Sequence, residues 1–149
     1  MLKKLTQRTL HILFLILRPL TIGVRGIFYD KSSGTVLLVR HTYSSDWALP
    51  GGGTSVGESF EAALARELKE EVGLVCEDIK LFSTYYNRPV SKRDHVIIYK
   101  INTWRDAIKH TNPKFEISKK QWYPISKLPE NITPCTQHAL RNFNLMIKN

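Results

Sequence analysis

The succession of turn residues and apolar residues between positions 50 and 74 limits the fold of this chain more than any other feature. The run Pro50–Gly53 holds one proline and three glycines and breaks regular structure. From about Ser59 to Val72, Leu64, Leu68 and the final valine recur every four residues, which predicts an amphipathic helix, and Gly73 is placed to end it. The sequence therefore predicts a loop, a helix with one core-facing side, and a turn.

Three carboxylates on that helix point to its chemistry. Glu67, Glu70 and Glu71 stand at i, i+3 and i+4 and therefore share one helix face. Like charges at this spacing cost about 0.2–0.5 kcal/mol per pair. A hard cation such as Mg²⁺, which takes oxygen ligands, would reverse that sign, and a solvated acidic face is the alternative. Arg66 is placed to pair with Glu70 at i, i+4 and to hold that carboxylate in position.

Strand patterns surround this helix. Two β-branched, apolar-rich runs are separated by five turn-forming residues, which is typical of a hairpin. The predicted strands are Thr21–Tyr29, Thr35–Arg40, Val75–Tyr86, Asp94–Trp104 and Lys120–Pro124, and a last helix is predicted at Pro134–Ile147. The sequence has no repeat or interdomain linker. This mixture of strands and helices therefore predicts a single α/β domain over residues 1–149.

The N-terminal segment carries a short apolar run, Leu10–Leu17, after Lys3, Lys4 and Arg8. A run of about eight residues is too short to span a bilayer, which takes roughly 20, and no small-residue cleavage site follows it. We expect residues 1–18 to form a helical extension that packs on the domain or on a second copy in a homodimer. An anchor on a membrane surface is the weaker alternative. The protein is accordingly expected in the cytoplasm.

The charge and the cysteines exclude some classes of protein and name no partner. Twenty-two Lys and Arg against thirteen Asp and Glu give a net charge of +9, which attracts anionic ligands. Because the basic residues are scattered, they indicate a solvated surface, and no specific nucleic acid is predicted. Cys76 and Cys135 form no C-x-x-C pair, so we expect two free thiols and neither a zinc site nor a disulfide framework.

The residues upstream of the glutamates complete a known pattern. Five residues separate Gly52 from Glu58, and seven more lead to the series Arg66, Glu67, Leu68, Glu70, Glu71, Gly73 and Leu74. This resembles the Nudix box, G-x5-E-x7-R-E-U-x-E-E-x-G-U with U a bulky aliphatic residue, and every fixed position is filled. Nine specified positions over 23 residues make a specific motif, and the predicted order of loop, helix and turn is the context it needs. The resemblance covers about Thr21 to Leu128.

The resemblance implies a Nudix-type α/β/α sandwich with a mixed sheet, in which the box holds a catalytic divalent metal, Mg²⁺ or Mn²⁺. Glu67, Glu70 and Glu71 would then be metal ligands, with the Gly51 carbonyl an additional one. Glu58 and Arg66 would orient these carboxylates.

The implied reaction is hydrolysis of a diphosphate linkage by water. Bound metal ions neutralise the charge of the diphosphate and raise the acidity of bound water. Two residues are candidates for the general base. Glu67 belongs to the acidic cluster, and Glu116 occupies the loop before a strand with an aromatic such as Trp122, where similar enzymes often carry a catalytic Glu. For Glu116 an exposed loop carboxylate is an equal alternative.

The substrate is less constrained by the sequence. Similar enzymes that hydrolyse ADP-ribose to AMP and ribose 5-phosphate often have a proline about sixteen residues after the box glycine, where this chain has Pro89. This favours ADP-ribose, although the proline also suits a turn. Arg88 belongs to a basic loop with Lys92 and Arg93 that could contact phosphate. Nucleoside triphosphates, including oxidised deoxynucleotides, and capped or triphosphorylated RNA ends are alternatives. Adenine stacking on Trp47, Tyr85 or Tyr86 competes with a place for these rings in the core.

A binding module of this fold that has lost catalysis is the alternative from another class. Such a module would sense a nucleotide or RNA through the basic surface. It would be expected to lack one or more box carboxylates, and this chain lacks none. The sequence therefore favours an enzyme whose partner is a small nucleotide substrate.

Overall fold

The computed structural model describes residues 19–108 and 116–148. Its elements are β1 (Thr21–Asp30), β2 (Thr35–His41), β3 (Trp47–Ala48), α1 (Phe60–Val72), β4 (Leu74–Tyr86), β5 (Asp94–Asp106), β6 (Ile117–Pro124) and α2 (Pro134–Lys148). The predicted strands and helices agree with these bounds to within three residues, and the short strand β3 was not predicted. The N-terminal helix expected over residues 1–18 lies outside the described residues.

The strands form one mixed sheet. Its order is β3-β2-β1-β5-β4, and β6 also pairs with β2. β1 and β5 run parallel, whereas the other pairs are antiparallel. β2 pairs with β1 only near the hairpin turn, at Tyr29 and Asp30. Nearer the start of β1, residues 50–54 pair with β1 in place of β2. The Val24 N–H donates to the Gly52 carbonyl at 2.9 Å, and the Gly26 N–H donates to the Pro50 carbonyl at 2.9 Å.

One helix covers each face of this sheet. Leu64, Leu68 and Val72 of α1 are buried with Val24 and Phe28 on one face. On the other face, buried side chains of α2 pack with those of the strands, namely Ala139, Leu140 and Phe143 with Ile27, Leu38 and Ile98. The layers are therefore α/β/α, which confirms the predicted class, and the acidic face of α1 lies at one edge of its buried stripe.

α1 begins close to the predicted start and ends at the predicted glycine. Ser59 is the N-cap, and its hydroxyl oxygen accepts from the Ala62 N–H at 3.1 Å. Gly73 has φ 70°, a left-handed conformation that favours glycine, and its N–H donates to the Leu68 carbonyl. These two caps set the register of the helix and with it the direction of the three glutamates.

Cys76 and Cys135 are free thiols, as expected. Burial raises the pKa of Cys76 to about 12 and that of Cys135 to about 11, so neither is a nucleophilic thiolate near neutral pH. In the described part of the chain, no helix has the length and apolar content needed to cross a membrane.

Candidate active site

The loop before α1 passes between β1 and the helix, and two glycines allow this. Gly51 has φ 133°, and a Cβ there would lie 2.2 Å from the Val24 carbonyl oxygen. A Cβ at Gly52 would lie 2.3 Å from the carboxylate carbon of Glu67. The glycines therefore let the loop backbone touch β1 on one side and a helix carboxylate on the other. The amide and carbonyl of Gly51 consequently lie at the start of the acidic face.

Arg66 organises one half of this face. Its Nε donates to Glu58 Oε2 at 3.2 Å and its Nη2 to Glu58 Oε1 at 2.7 Å, which is a two-pronged ion pair. Nη1 donates to Glu67 Oε1 at 2.5 Å and lies 3.9 Å from Glu70 Oε2. Arg66 and Glu70 are paired as predicted, but this is the longest of the three Arg66 ion pairs because the guanidinium turns back toward the loop. The hydrogen bonds from Arg66, together with the Ser55 N–H, lower the pKa of Glu58 to about 2.

Glu71 organises the other half and is buried, with 8% of its surface exposed. Its Oε2 accepts from the Gly51 N–H at 2.8 Å, and its Oε1 lies 3.1 Å from His41 Nε2. An ionised carboxylate only accepts, so His41 Nε2 carries the hydrogen and donates it. The His41 ring is also buried and stacks on Tyr43, with the ring centroids 5.0 Å apart. Glu71 is therefore held between the end of β2 and the glycine loop.

Sequence reasoning did not single out His41. It lies outside the box and ends β2, and the β2–β6 register is irregular at this residue. A buried histidine at the end of a strand is usually a packed polar residue, and only the contact across 30 residues of sequence shows its partner to be a box glutamate. Arg25 was missed for the same reason. Its Nη1 donates to the carbonyls of Val24 at 2.9 Å and Gly52 at 3.2 Å, which braces the loop from β1.

The Tyr43 hydroxyl is influenced by charged side chains from several elements. Its pKa is raised first by desolvation and then by the negative charges of Glu116 and Glu71, while the positive charge of Arg25 opposes them. The Glu116 backbone is fixed nearby, since its carbonyl accepts from the Thr42 N–H at 2.7 Å. The structure therefore brings Glu116 into the neighbourhood of the box, although it is 45 residues from Glu71 in sequence.

The donor set can be compared with what a divalent cation requires. Within residues 19–108 and 116–148, no three His, Cys, Asp or Glu side chains converge closely enough to hold one ion. The donors are nevertheless oxygens of the right kind, since Glu67 and Glu70 flank the same guanidinium nitrogen and Glu71 lies against Gly51. A carboxylate has about four acceptor positions, and two of them are used at Glu71. The donor types suit a hard cation, whose binding would require Glu67 to turn from Arg66.

An open cleft of about 590 Å³ adjoins Glu70. Its lining includes the side chains of Arg66, Lys69 and Arg105, and Arg105 forms an ion pair with Glu77 at 2.7 Å. Cations beside an acidic face suit a substrate that carries several negative charges, because they offset its repulsion by the glutamates.

The structure places the two residues predicted to bind substrate in one turn, at the end of the sheet where β1 begins. Arg88 and Pro89 are exposed in the turn between β4 and β5, which is closed by the Val90 N–H donating to the Asn87 carbonyl at 3.0 Å. In the described part of the chain, neither residue has a hydrogen bond or ion pair with Glu67 or Glu71. Pro89 therefore occupies a turn, and its role in substrate binding stays a prediction.

The aromatic side chains considered for adenine stacking differ in how deeply they are buried. Trp47 is buried in the core, where its ring packs edge-on against Tyr123 at 5.0 Å. Tyr85 packs against the core on the α2 side and lies beside the His138 ring, and the half-exposed Tyr86 stacks on His95. Trp47 is therefore a core residue and is not available to stack on a ligand.

Known proteins resemble this chain in sequence and in fold. An RNA pyrophosphohydrolase from Teredinibacter turnerae is 31% identical over 107 residues, which are 71% of this chain and 57% of that protein. Another, from Edwardsiella ictaluri, is 40% identical over 62 residues, 42% of this chain and 35% of that one. This chain therefore spans only about a third to somewhat over half of the length of these relatives.

Solved structures share the fold. A MutT NUDIX hydrolase from Burkholderia pseudomallei superposes with a TM-score of 0.70 at 22% identity, covering 81% of this chain and 95% of that one. A NUDIX hydrolase from Nitrosomonas europaea gives 0.67 at 16% identity, with 85% and 89% covered. The NUDIX domain family itself matches residues 19–143, from before β1 into α2. The resemblance carried by the box is confirmed, and this chain belongs to the Nudix hydrolase family.

Proposed function

We propose that this protein is a divalent-metal-dependent pyrophosphohydrolase that cleaves a diphosphate linkage in a nucleotide substrate. The observation that carries the proposal is the complete acidic face of α1, in which Glu67 is held by Arg66 and Glu71 by His41 and Gly51. In the reaction, the oxygen of water bonds to one phosphorus while the bond from that phosphorus to the bridging oxygen breaks. The bridging oxygen leaves on the other phosphate.

The roles of the residues follow from their positions. Glu67, Glu70, Glu71 and the Gly51 carbonyl would hold Mg²⁺ or Mn²⁺, which when bound polarises the phosphate oxygens and increases the acidity of water. The two-pronged ion pair of Arg66 with Glu58 would keep the first of these carboxylates close to the loop. In these roles the contribution of the chain is positioning and electrostatic stabilisation.

Glu116 is the better candidate for the general base. One oxygen of Glu67 accepts from the Arg66 guanidinium, and in the proposed role this carboxylate also binds metal, so Glu67 is less available to accept a proton. The Glu116 side chain makes no hydrogen bond or ion pair with the described residues, and its charge reaches the Tyr43 hydroxyl beside Glu71. A base must be free to take a proton from water, and a loop position allows it to approach a bound substrate.

The prediction of ADP-ribose is not supported by the site. It depended on Pro89, whose exposed turn position accounts for the residue. A 5′-triphosphorylated RNA end is the second candidate substrate. It is favoured by the similarity to RNA pyrophosphohydrolases and by the net charge of +9. Hydrolysis there would give a 5′-monophosphate end and pyrophosphate.

A substrate screen tests both candidates. The purified chain with Mg²⁺ would be given triphosphorylated RNA, ADP-ribose, nucleoside diphosphate sugars, dinucleotide polyphosphates, and plain and oxidised nucleoside triphosphates, with the products separated by chromatography. A Glu70→Gln protein prepared in parallel corrects for contaminating phosphatases. We expect turnover of one class with a kcat/KM at least about tenfold above the others, and RNA first among them. If no substrate is turned over with metal present, the enzyme proposal fails and the binding module takes its place.

His41→Phe is expected to weaken metal binding by about 10- to 100-fold, the usual effect of removing a partner of a ligating group. The phenyl ring keeps the stack on Tyr43 but cannot donate to Glu71. His41→Gln keeps an N–H donor and should restore most of the affinity. The measurement is titration of Mn²⁺ by electron paramagnetic resonance, without substrate. Equal affinity in all three proteins would show that His41 does not position a ligand.

A further inference from the structure

Two lysines face each other on the sheet, away from the acidic site. Lys80 of β4 and Lys100 of β5 are direct partners in the antiparallel register. Side chains in such a pair point to the same face with their Cβ atoms about 4.5–5.5 Å apart, and like charges in this position destabilise a sheet. No carboxylate of the described residues forms an ion pair with either ammonium group. Among the described residues, the pair therefore presents two positive charges that no carboxylate neutralises.

A third lysine lies at the same place. Lys31, Lys80 and Lys100 line an open cavity of about 520 Å³, which we call the lysine pocket, between the β1–β2 hairpin and the ends of β4 and β5. Asp30 is the one carboxylate among the lining residues, and its oxygens accept from the hydroxyls of Ser32 and Ser33. The lining thus carries three ammonium groups against one carboxylate that is already hydrogen-bonded.

One tryptophan borders the lysine pocket. Trp104 lines it and is fixed by an edge-on contact with Phe28 at 5.2 Å between ring centroids. It also stacks on Trp122 at 6.0 Å. Its ring packs with the α1-side core, whereas Lys80 and Lys100 alternate with Ile79 and Ile101 of that core and point to the opposite face of the sheet. The ammonium groups are therefore the part of the lysine pocket that would neutralise a phosphate.

The lysine pocket is separate from the catalytic loop. β1 contacts that loop at Val24 and reaches the lysine pocket at Tyr29, five residues later, which is roughly 17 Å along an extended strand. A ligand in the lysine pocket therefore does not need the acidic face of α1, and the inference stands whether or not the proposed function is correct.

We infer that the lysine pocket is a binding site for a phosphate-bearing anion, with Lys31, Lys80 and Lys100 contacting phosphate. The anion is a phosphate of a free nucleotide or of a single-stranded nucleic acid, which share this chemistry. In either case, binding relieves the repulsion between the cross-strand lysines.

Removal of two lysines tests the site. Lys80→Gln with Lys100→Gln would be compared with Lys119→Gln with Lys127→Gln, which loses the same charge from exposed positions outside the lysine pocket. All proteins carry Glu70→Gln and are kept in EDTA, so that neither hydrolysis nor catalytic metal contributes. The probes are ATP, followed by calorimetry, and a fluorescein-labelled single-stranded RNA with a 5′-hydroxyl end, followed by anisotropy. Thermal unfolding of each variant checks that it is folded.

We expect the pocket variant to bind at least one probe about tenfold more weakly than the control variant. For RNA, the salt dependence of log K should also flatten by about 0.7 for each lysine lost. Loss with ATP alone identifies a free nucleotide as the ligand, and loss with RNA identifies the phosphodiester backbone. Equal weakening in both variants would indicate a general charge effect and overturn the site, as would the absence of binding of both probes to the parent protein.

Discussion

Glu70→Gln is expected to lower kcat by about 100-fold or more, which is the scale of removing a charged group that acts in the transition state. The amide keeps the shape of the side chain but not the negative charge that would hold a cation. Glu70 is half-exposed, so the substitution leaves the core intact and the midpoint of thermal unfolding should change little. Steady-state kinetics on the best substrate of the screen measures the effect.

Glu61→Gln is the matched control, because Glu61 lies on the same helix and accepts from the Tyr99 hydroxyl at 2.8 Å, away from the acidic face. It should retain kcat within about twofold, as expected of a surface substitution away from the reacting groups. If the Glu70 variant also keeps its activity within a few-fold, the acidic face of α1 is not the metal site.

Gly51→Ala is expected to destabilise the fold by roughly 3 kcal/mol, the cost of holding a non-glycine residue in strained backbone against a fixed neighbour. The added Cβ would lie 2.2 Å from the Val24 carbonyl oxygen at a φ of 133°. Relief requires the loop to move off β1, which breaks the hydrogen bond from Gly51 to Glu71. The midpoint of thermal unfolding should fall by about 6–12 °C.

Gly53→Ala provides the comparison two residues along the same loop. A Cβ there meets nothing within 4 Å, and its φ is not positive. Its midpoint should stay within about 2 °C of the parent, in line with the small effect of unstrained surface substitutions. Equal destabilisation by both alanines would mean that the loop is sensitive to any side chain and that the contact with Val24 is not the cause.

Glu70→Gln tests the chemistry of the site, whereas Gly51→Ala tests the position of the loop on the sheet. The glutamates occupy a face that the helix alone defines, so their loss affects chemistry. Gly51 occupies the contact between the loop and the sheet, so its loss affects the position of the whole box relative to β1.

The helix, its end at Gly73 and the relative placement of Glu67, Glu70 and Glu71 were predictable from the sequence. Helical geometry is local, with 3.6 residues per turn, and therefore spacing alone places side chains on one face. The glycine pattern likewise predicted the loop and the end of α1 at Gly73. The family, the fold class and most strand bounds follow from the same local patterns.

The tertiary structure alone decided which distant residues meet this face. His41 reaches Glu71, Arg25 reaches Gly52, and Glu116 approaches Tyr43 because β1, β2 and β6 are neighbours in the sheet. The opposition of Lys80 and Lys100 depends on a register with several irregularities along β4 and β5. A shift of one residue would place their side chains on the other face. Spacing within one element determined the acidic face, whereas strand pairing, which joins residues far apart in sequence, determined its partners.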